Sequence, residues 1–208
     1  MNAGTWIKGL LVVSLLCNLL ALAVGLWAVH RLGGWRYLLY RFQTRGVGAE
    51  YAHRKSQLDM LPADSATIVM LGNSLTRQGE WAELLQNPKV RNRGINGDHI
   101  GGVLDRLDEV VEQQPEWLFL MIGINDLLFH EPDFVIKQYE VLLQRLTEAL
   151  PHTRIVVQSL LPVNNEVRPL GISNEDIRTV NAALRELAPR YGCRFLDLYP
   201  RFVDRDGR

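Results

Sequence analysis

Cysteine is scarce in this chain: 208 residues hold only two, Cys17 and Cys193. Cys17 lies inside an apolar run and Cys193 far along the chain, so the spacing argues against an intrachain disulfide and leaves the redox compartment open. Excess charge of either sign is absent, because 23 Lys and Arg balance 23 Asp and Glu. That removes the bulk electrostatic case for a nucleic-acid partner. No Cys or His stands at a metal-ligand spacing, so neither a metal nor a cofactor is expected. No internal repeat or low-complexity tract appears. The first strand-to-turn junction lacks the glycine-rich pattern that cradles phosphate, which argues against a nucleotide or flavin binder.

One long hydrophobic run is present. Gly9 to Val29 is apolar except for Ser14 and Asn18. A helix needs about 20 such residues to cross a bilayer core. Trp6, Trp27 and Trp35 flank the run as interfacial anchors would. Ala21-Leu22-Ala23 has the small-x-small form of a signal-peptide cleavage site, but apolar residues continue past it, which favours an uncleaved single-pass anchor. Arg31, Arg36, Arg41 and Arg45 follow the run, against Lys8 before it, so the positive-inside rule places the main domain in the cytoplasm. Trp35 to Leu58 mixes aromatic and basic residues and reads as a surface or stalk helix, broken at Gly46 and Gly48. The expected organisation is a membrane anchor over residues 1–31, a juxtamembrane segment and linker over 32–65, and one domain over 66–208.

In that domain apolar strands alternate with amphipathic helices. Strands are expected at Thr67–Leu71, Val90–Arg93, Trp117–Ile122, Arg154–Leu160 and Arg194–Leu198. Helices are expected at Glu80–Gln86, Ile100–Gln113, Asp133–Leu150 and Asn174–Arg190. Leu104, Leu107, Val110 and Val111 share one face of the second helix, and Phe134, Tyr139, Leu142, Leu143 and Leu146 one face of the third. Asp105, Arg106, Asp108 and Glu109 read as a solvated face. Near-continuous apolar strands separated by helices imply an α/β protein whose parallel sheet is covered on both faces. Ligands of such sheets bind beyond the carboxyl ends of the strands.

Small, amide and hydroxyl residues collect at those ends. After the first strand comes Gly72-Asn73-Ser74, with Gly72 supplying backbone freedom for a sharp turn. After the second comes Gly94-Ile95-Asn96-Gly97-Asp98-His99. After the third comes Gly123-Ile124-Asn125-Asp126, and after the fourth Pro162, Asn164 and Asn165. Acyl transfer needs a nucleophile and donors aimed at an oxyanion. Ser74 suits the first role. The N–H groups of Ser74 and Gly94 and the amide of Asn125 suit the second. Taken singly, Gly94 also fits a plain turn, and Asn125 and Asp126 also fit caps for their own loop. Asn73, His99 and His130 are the further candidates for substrate contact.

Gly72-Asn73-Ser74-Leu75, Asn92-Arg93-Gly94-Ile95-Asn96-Gly97-Asp98 and Gly123-Ile124-Asn125-Asp126 resemble the first three blocks of the SGNH, or GDSL-type, hydrolases. The closest likeness is to the platelet-activating-factor acetylhydrolase-like and lysophospholipase-like esterases. Asn73 stands where Asp is usual in the first block. The resemblance implies a flavodoxin-like three-layer α/β/α domain with a five-stranded sheet. It also implies metal-free hydrolysis of small acyl or lipid esters, with Ser74 as nucleophile and Ser74, Gly94 and Asn125 as oxyanion donors. The family's last block, Asp-x-x-His, supplies the base. The chain ends Asp204-Arg205-Asp206-Gly207-Arg208, and no His follows His152. The expectation is therefore a domain incomplete at its carboxyl end and impaired in turnover. The alternative is a non-catalytic, membrane-anchored binding or scaffold protein that retains the pocket. Neither acyl group nor oligomeric state can be read from the residues.

Overall fold

A computed structural model of the chain describes residues 3–31, 47–61, 68–167 and 169–204. These fall into two compact units, Met1–Arg45 and Gly46–Arg208. The aromatic-basic stretch from Trp35 to Arg45, with its arginines, the linker at 62–67 and the tail from Arg205 lie outside the described residues.

The first unit holds one helix, α1 (Ala3–Arg31). Over Leu10–Trp27 it is long and apolar enough to cross a membrane, and none of that window is buried. Nothing within the helix gives its leucines and valines a core to enter, since they point outward all round.

The second unit opens with α2 (Val47–Asp59). This helix starts at Val47, with Gly48 in its first turn; Gly46, the other glycine at which the sequence suggested a break, lies outside the described residues. Leu58 is buried, the Tyr51 hydroxyl donates to the Gly102 carbonyl at 3.4 Å, and Arg54 donates to the Asn92 carbonyl at 3.3 Å.

Five strands follow: β1 (Ile68–Gly72), β2 (Val90–Gly94), β3 (Trp117–Met121), β4 (Arg154–Gln158) and β5 (Arg194–Leu196). All pair in parallel, in the order β2-β1-β3-β4-β5. That is the flavodoxin-like order, with its switch point between β1 and β3. Register aligns Gly72 with both Gly94 and Met121, so the turns after β1, β2 and β3 leave the sheet side by side.

The connections differ in weight. Short helices α3 (Ser74–Arg77) and α4 (Trp81–Leu84) link β1 to β2, and α5 (Ile100–Leu104) and α6 (Leu107–Val111) link β2 to β3. Two long amphipathic helices, α7 (Pro132–Ala149) and α8 (Asn174–Arg190), cover the β3–β5 half, and α9 (Tyr199–Phe202) follows β5. The helix expected over Ile100–Gln113 is broken at Asp105–Arg106. In α7 the inward face is Val135, Tyr139, Leu142, Leu143 and Leu146, whereas Phe134 points outward and is 44% exposed. Trp117 and Phe119 are half-buried and stack on each other rather than entering the core.

Candidate active site

The turn after β1 is tight because of space, not because of an unusual backbone angle. Gly72 has no positive φ, but a Cβ there would lie 2.3 Å from the Met121 carbonyl oxygen and from the Thr76 hydroxyl. The reason given from sequence, freedom of φ, is thus replaced by close approach. Asn73 is 1% exposed and caps α3, its Oδ1 accepting the Leu75 N–H at 3.0 Å. Its Nδ2 is buried with no partner. Ser74 opens α3 half-buried, so its own N–H has no carbonyl one turn back within the helix.

Gly94 is also set by close approach. A Cβ would lie 2.2 Å from the Arg77 nitrogen, so β2 lies directly against the backbone of α3. The Gly94 N–H donates to Asn92 Oδ1 at 2.9 Å. The same Asn92 side chain donates to the carbonyls of Thr76, Arg77 and Gly79 at 3.0–3.1 Å. Asn92 therefore clamps the end of α3 to the second turn, a role its sequence position does not disclose.

The third turn needs Gly123, whose φ is +116°. Asn125 donates from Nδ2 to the Asp98 carbonyl at 2.7 Å, tying the third turn to the second and leaving one amide hydrogen over. Asp126 is buried and accepts the Ile100 N–H on both carboxylate oxygens at 3.2 Å. Burial pushes its pKa up to about 6, against the pull of that N–H and of His99.

The two rim histidines differ. His99 is exposed, and its Nδ1 accepts the Gly102 N–H at 2.7 Å as the cap of α5. A neutral imidazole that accepts on Nδ1 carries its proton on Nε2, and so has no lone pair left to take one from Ser74. His130 is exposed and lies over the outward-facing Phe134, ring centroids 4.1 Å apart. Partial burial, with the charge of His99 second, lowers its pKa.

Behind the turns lies an ion cluster. Arg106 is 2% exposed and meets Asp98 through Nε and Nη2 at 2.9 and 2.8 Å, with Glu109 on Nη1. The solvated face expected here is corrected for Arg106 and for the Glu109 side chain, both buried. Asp98 takes one backbone N–H, from His99, but its main partner is Arg106. Burial raises the Asp98 and Glu109 carboxyls while the guanidinium pulls each back, and Arg106 itself is raised, the two carboxylates outweighing its burial.

The fourth turn folds on itself. Asn164 accepts the N–H groups of Glu166 and Val167, and Asn165 holds Leu170 and Ile172. Among the described residues no group of three His, Cys, Asp or Glu side chains could hold a metal ion.

A parallel sheet in the order 2-1-3-4-5, with serine and amide turns gathered at the switch point, defines an SGNH-like class of domain. Comparison with known proteins agrees: residues 45–208 match the model of the GDSL-like Lipase/Acylhydrolase family, and the chain belongs to that family. It is 34% identical over 147 residues to the platelet-activating factor acetylhydrolase IB subunit alpha1 of Bos taurus, a match covering 67% of this chain. It is 30% identical over 149 residues to the alpha2 subunit of Rattus norvegicus. The match spans 62% of the length of these curated relatives. Among solved structures, a Streptococcus pneumonia protein described as a platelet activating factor superposes with a TM-score of 0.73 at 24% identity, covering 82% of this chain and 85% of the other. A GDSL-like lipase from Bacteroides thetaiotaomicron gives 0.63 at 18%, covering 76% and 82%. At these identities the structural likeness speaks for the fold.

Proposed function

We propose that the chain is a serine esterase of the SGNH type acting on small acyl or lipid esters. The observation that carries this reading is the chain of hydrogen bonds joining the turns of Ser74, Gly94 and Asn125 at the switch point of the sheet. Ser74 Oγ attacks the ester carbonyl and gives its proton to a base. The oxyanion is held by the Ser74 N–H, the free amide hydrogen of Asn125 and the Gly94 N–H, which shares itself between Asn92 and the substrate. The tetrahedral intermediate collapses, the alkoxide leaves with the proton, and water repeats the sequence on the acyl-serine. Asn73, His99 and His130 border the substrate.

Within residues 1–208 no His follows His152, and His99 has its Nδ1 engaged. Ser74, Gly94 and Asn125 need a base, since losing that of a serine triad costs on the order of a million-fold. The family's Asp-x-x-His block would supply that base. The engaged Nδ1 of His99 favours a second reading, a non-catalytic binding protein. The apolar run, followed by arginines, supports a single-pass anchor with the domain on the cytoplasmic face and a lipid ester nearby. No nucleic-acid partner is proposed.

The test compares residues 1–208 with the gene product continued to its stop codon, using a fluorophosphonate probe and p-nitrophenyl esters. Labelling and hydrolysis that Ser74→Ala abolishes support the esterase. An unlabelled continued chain, or equal hydrolysis by Ser74→Ala, overturns it, and saturable ligand binding weakened by Asn125→Ala then supports the second reading.

A further inference from the structure

Arg106 makes more directed bonds than any other buried side chain behind the three turns. Its side chain is fully shielded from solvent. Besides Asp98 and Glu109, its Nη2 donates to the Arg93 carbonyl at 2.8 Å and reaches the Gly72 carbonyl at 3.5 Å. These two carbonyls close β2 and β1, and each belongs to the peptide leading into a site turn.

The Arg93 carbonyl and the Gly94 N–H are two ends of one peptide unit. A peptide is planar, so fixing its oxygen fixes the direction of its N–H. Arg106 also fixes Asp98 from the side-chain end, and the Asp98 carbonyl receives the Asn125 amide. One guanidinium thus reaches two oxyanion donors from behind, each through a single intermediate group. The Gly72 carbonyl is held chiefly by the Ile95 N–H at 3.1 Å, with Arg106 beside it at 3.5 Å.

We propose that Arg106 is a positioning residue that aims the Gly94 N–H and the Asn125 amide at the oxyanion, touching no substrate itself. This rests on the reading of Ser74 as nucleophile. A planar fork is needed for the task. It serves Asp98, Glu109 and the Arg93 carbonyl in one plane, whereas a lysine ammonium is a point donor that cannot span all three. Retention of charge alone is therefore insufficient.

The experiment compares the wild type with Arg106→Lys, as full chains in detergent micelles, by two measurements. The first is ester hydrolysis, on residues 1–208 and on the gene product continued to its stop codon. The second is the resonance of the Gly94 backbone amide and the Asn125 side-chain amide, read without ester. Arg106→Lys is expected to lower kcat by about a hundredfold, the loss typical of one oxyanion donor, with KM changed less than about threefold. Both resonances shift, while amides around β4 and β5 stay in place. Unchanged kcat or unshifted resonances in a folded Arg106→Lys overturn the proposal. So does a fall in kcat matched by a rise in KM with shifts spread over the whole domain, which marks a general structural role. If Arg106→Lys fails to fold, Asp98→Asn decides by the same readings, with smaller effects of the same sign. A wild type that neither hydrolyses ester nor reacts with fluorophosphonate defeats the esterase reading, and with it the oxyanion role, even where the resonances move.

Discussion

The two halves of the sheet's carboxyl edge solve one problem with different chemistry. Both must hold strand-end turns against the sheet. Beyond β1, β2 and β3 the holders include buried charges, Asp98, Arg106, Glu109 and Asp126, beside the neutral amides of Asn92 and Asn125. Beyond β4 and β5 they are neutral. Asn181 accepts the Leu160 N–H and donates back to its carbonyl, at 2.8 and 3.0 Å, and Asn174 does the same for Val163. Ser159 accepts the N–H groups of Leu198 and Tyr199, both at 2.9 Å. A neutral amide clasp satisfies a donor and an acceptor with little desolvation cost. A buried ion cluster costs several kcal/mol per charge and is weak evidence for stability. Among the described residues the buried ion cluster stands on the side of the candidate site.

The comparison breaks or sharpens first at Arg106. Arg106→Met leaves Asp98 and Glu109 buried without their cation and is expected to cost about 3–5 kcal/mol, read from urea unfolding of the full chain. A cost near 1 kcal/mol would mean that water reaches the cluster, and the contrast between halves would fall.

The second effect is a dependence on pH. The folded-state pKa of Asp126 is raised to about 6, above the ordinary value of about 3.9. Between those values the folded state holds a proton that the unfolded chain has released. Stability therefore falls as pH rises from about 4 to 6 and levels off above, by about 2–3 kcal/mol. Asp126→Asn keeps an oxygen for the Ile100 N–H and removes that ionisation, so its stability falls less over the same window, the remainder coming from the raised Asp98 and Glu109 carboxyls. Urea unfolding from pH 4.5 to 7.5 checks the sign, and a wild type that gains stability across it refutes the assignment.

A smaller effect is expected on the neutral side. Asn181→Ala strands the Leu160 N–H and carbonyl, at about 1–3 kcal/mol, with no dependence on pH between 4.5 and 7.5. A cost matching that of Arg106→Met would erase the distinction between clasp and cluster.

Much of the neutral half was legible in the residues. All five strands lie within two residues of their expected ends, because the near-continuous apolar runs fix them. The helix over Asn174–Arg190 matches to the residue, with Ser173 as its cap. The charged half was read less well. Asp105, Arg106, Asp108 and Glu109 form a dense charge run, and such runs are usually solvated. A signal for the exception existed: Arg106 stands three residues after Val103 and four before Val110, both fully buried. On the single helix expected over Ile100–Gln113 that spacing puts it on the inward face, and it stays buried although the helix breaks there. The sequence marks Gly72 for freedom of φ and Gly94 as an N–H donor or a plain turn. Their real constraint, a neighbouring backbone within 2.3 Å of a Cβ, is tertiary. The three blocks located Ser74, Gly94 and Asn125. The bonds that Asn92 and Arg106 make behind them have no local pattern, since their partners lie 13 or more residues away in several cases.

The mildest change tests whether the two edges are independent. Ser159 is fully buried, and both lone pairs of its Oγ are taken by the Leu198 and Tyr199 N–H groups. These N–H groups lead into α9 and are only part-buried, so water can replace the hydroxyl once it is gone. Ser159→Ala is therefore expected to cost about 1 kcal/mol, with the loss confined to the segment after β5. Hydrogen exchange at the Leu198 and Tyr199 amides should accelerate while protection of Gly94 is unchanged. The prediction follows from the arrangement: β4 stands between β5 and β3, and no bond of Ser159 reaches the charged cluster. Equal acceleration at Gly94 would show the whole edge opening as one unit. The neutral clasps would then be holding the turns after β2 and β3 as well, and the division of labour between the halves would be wrong.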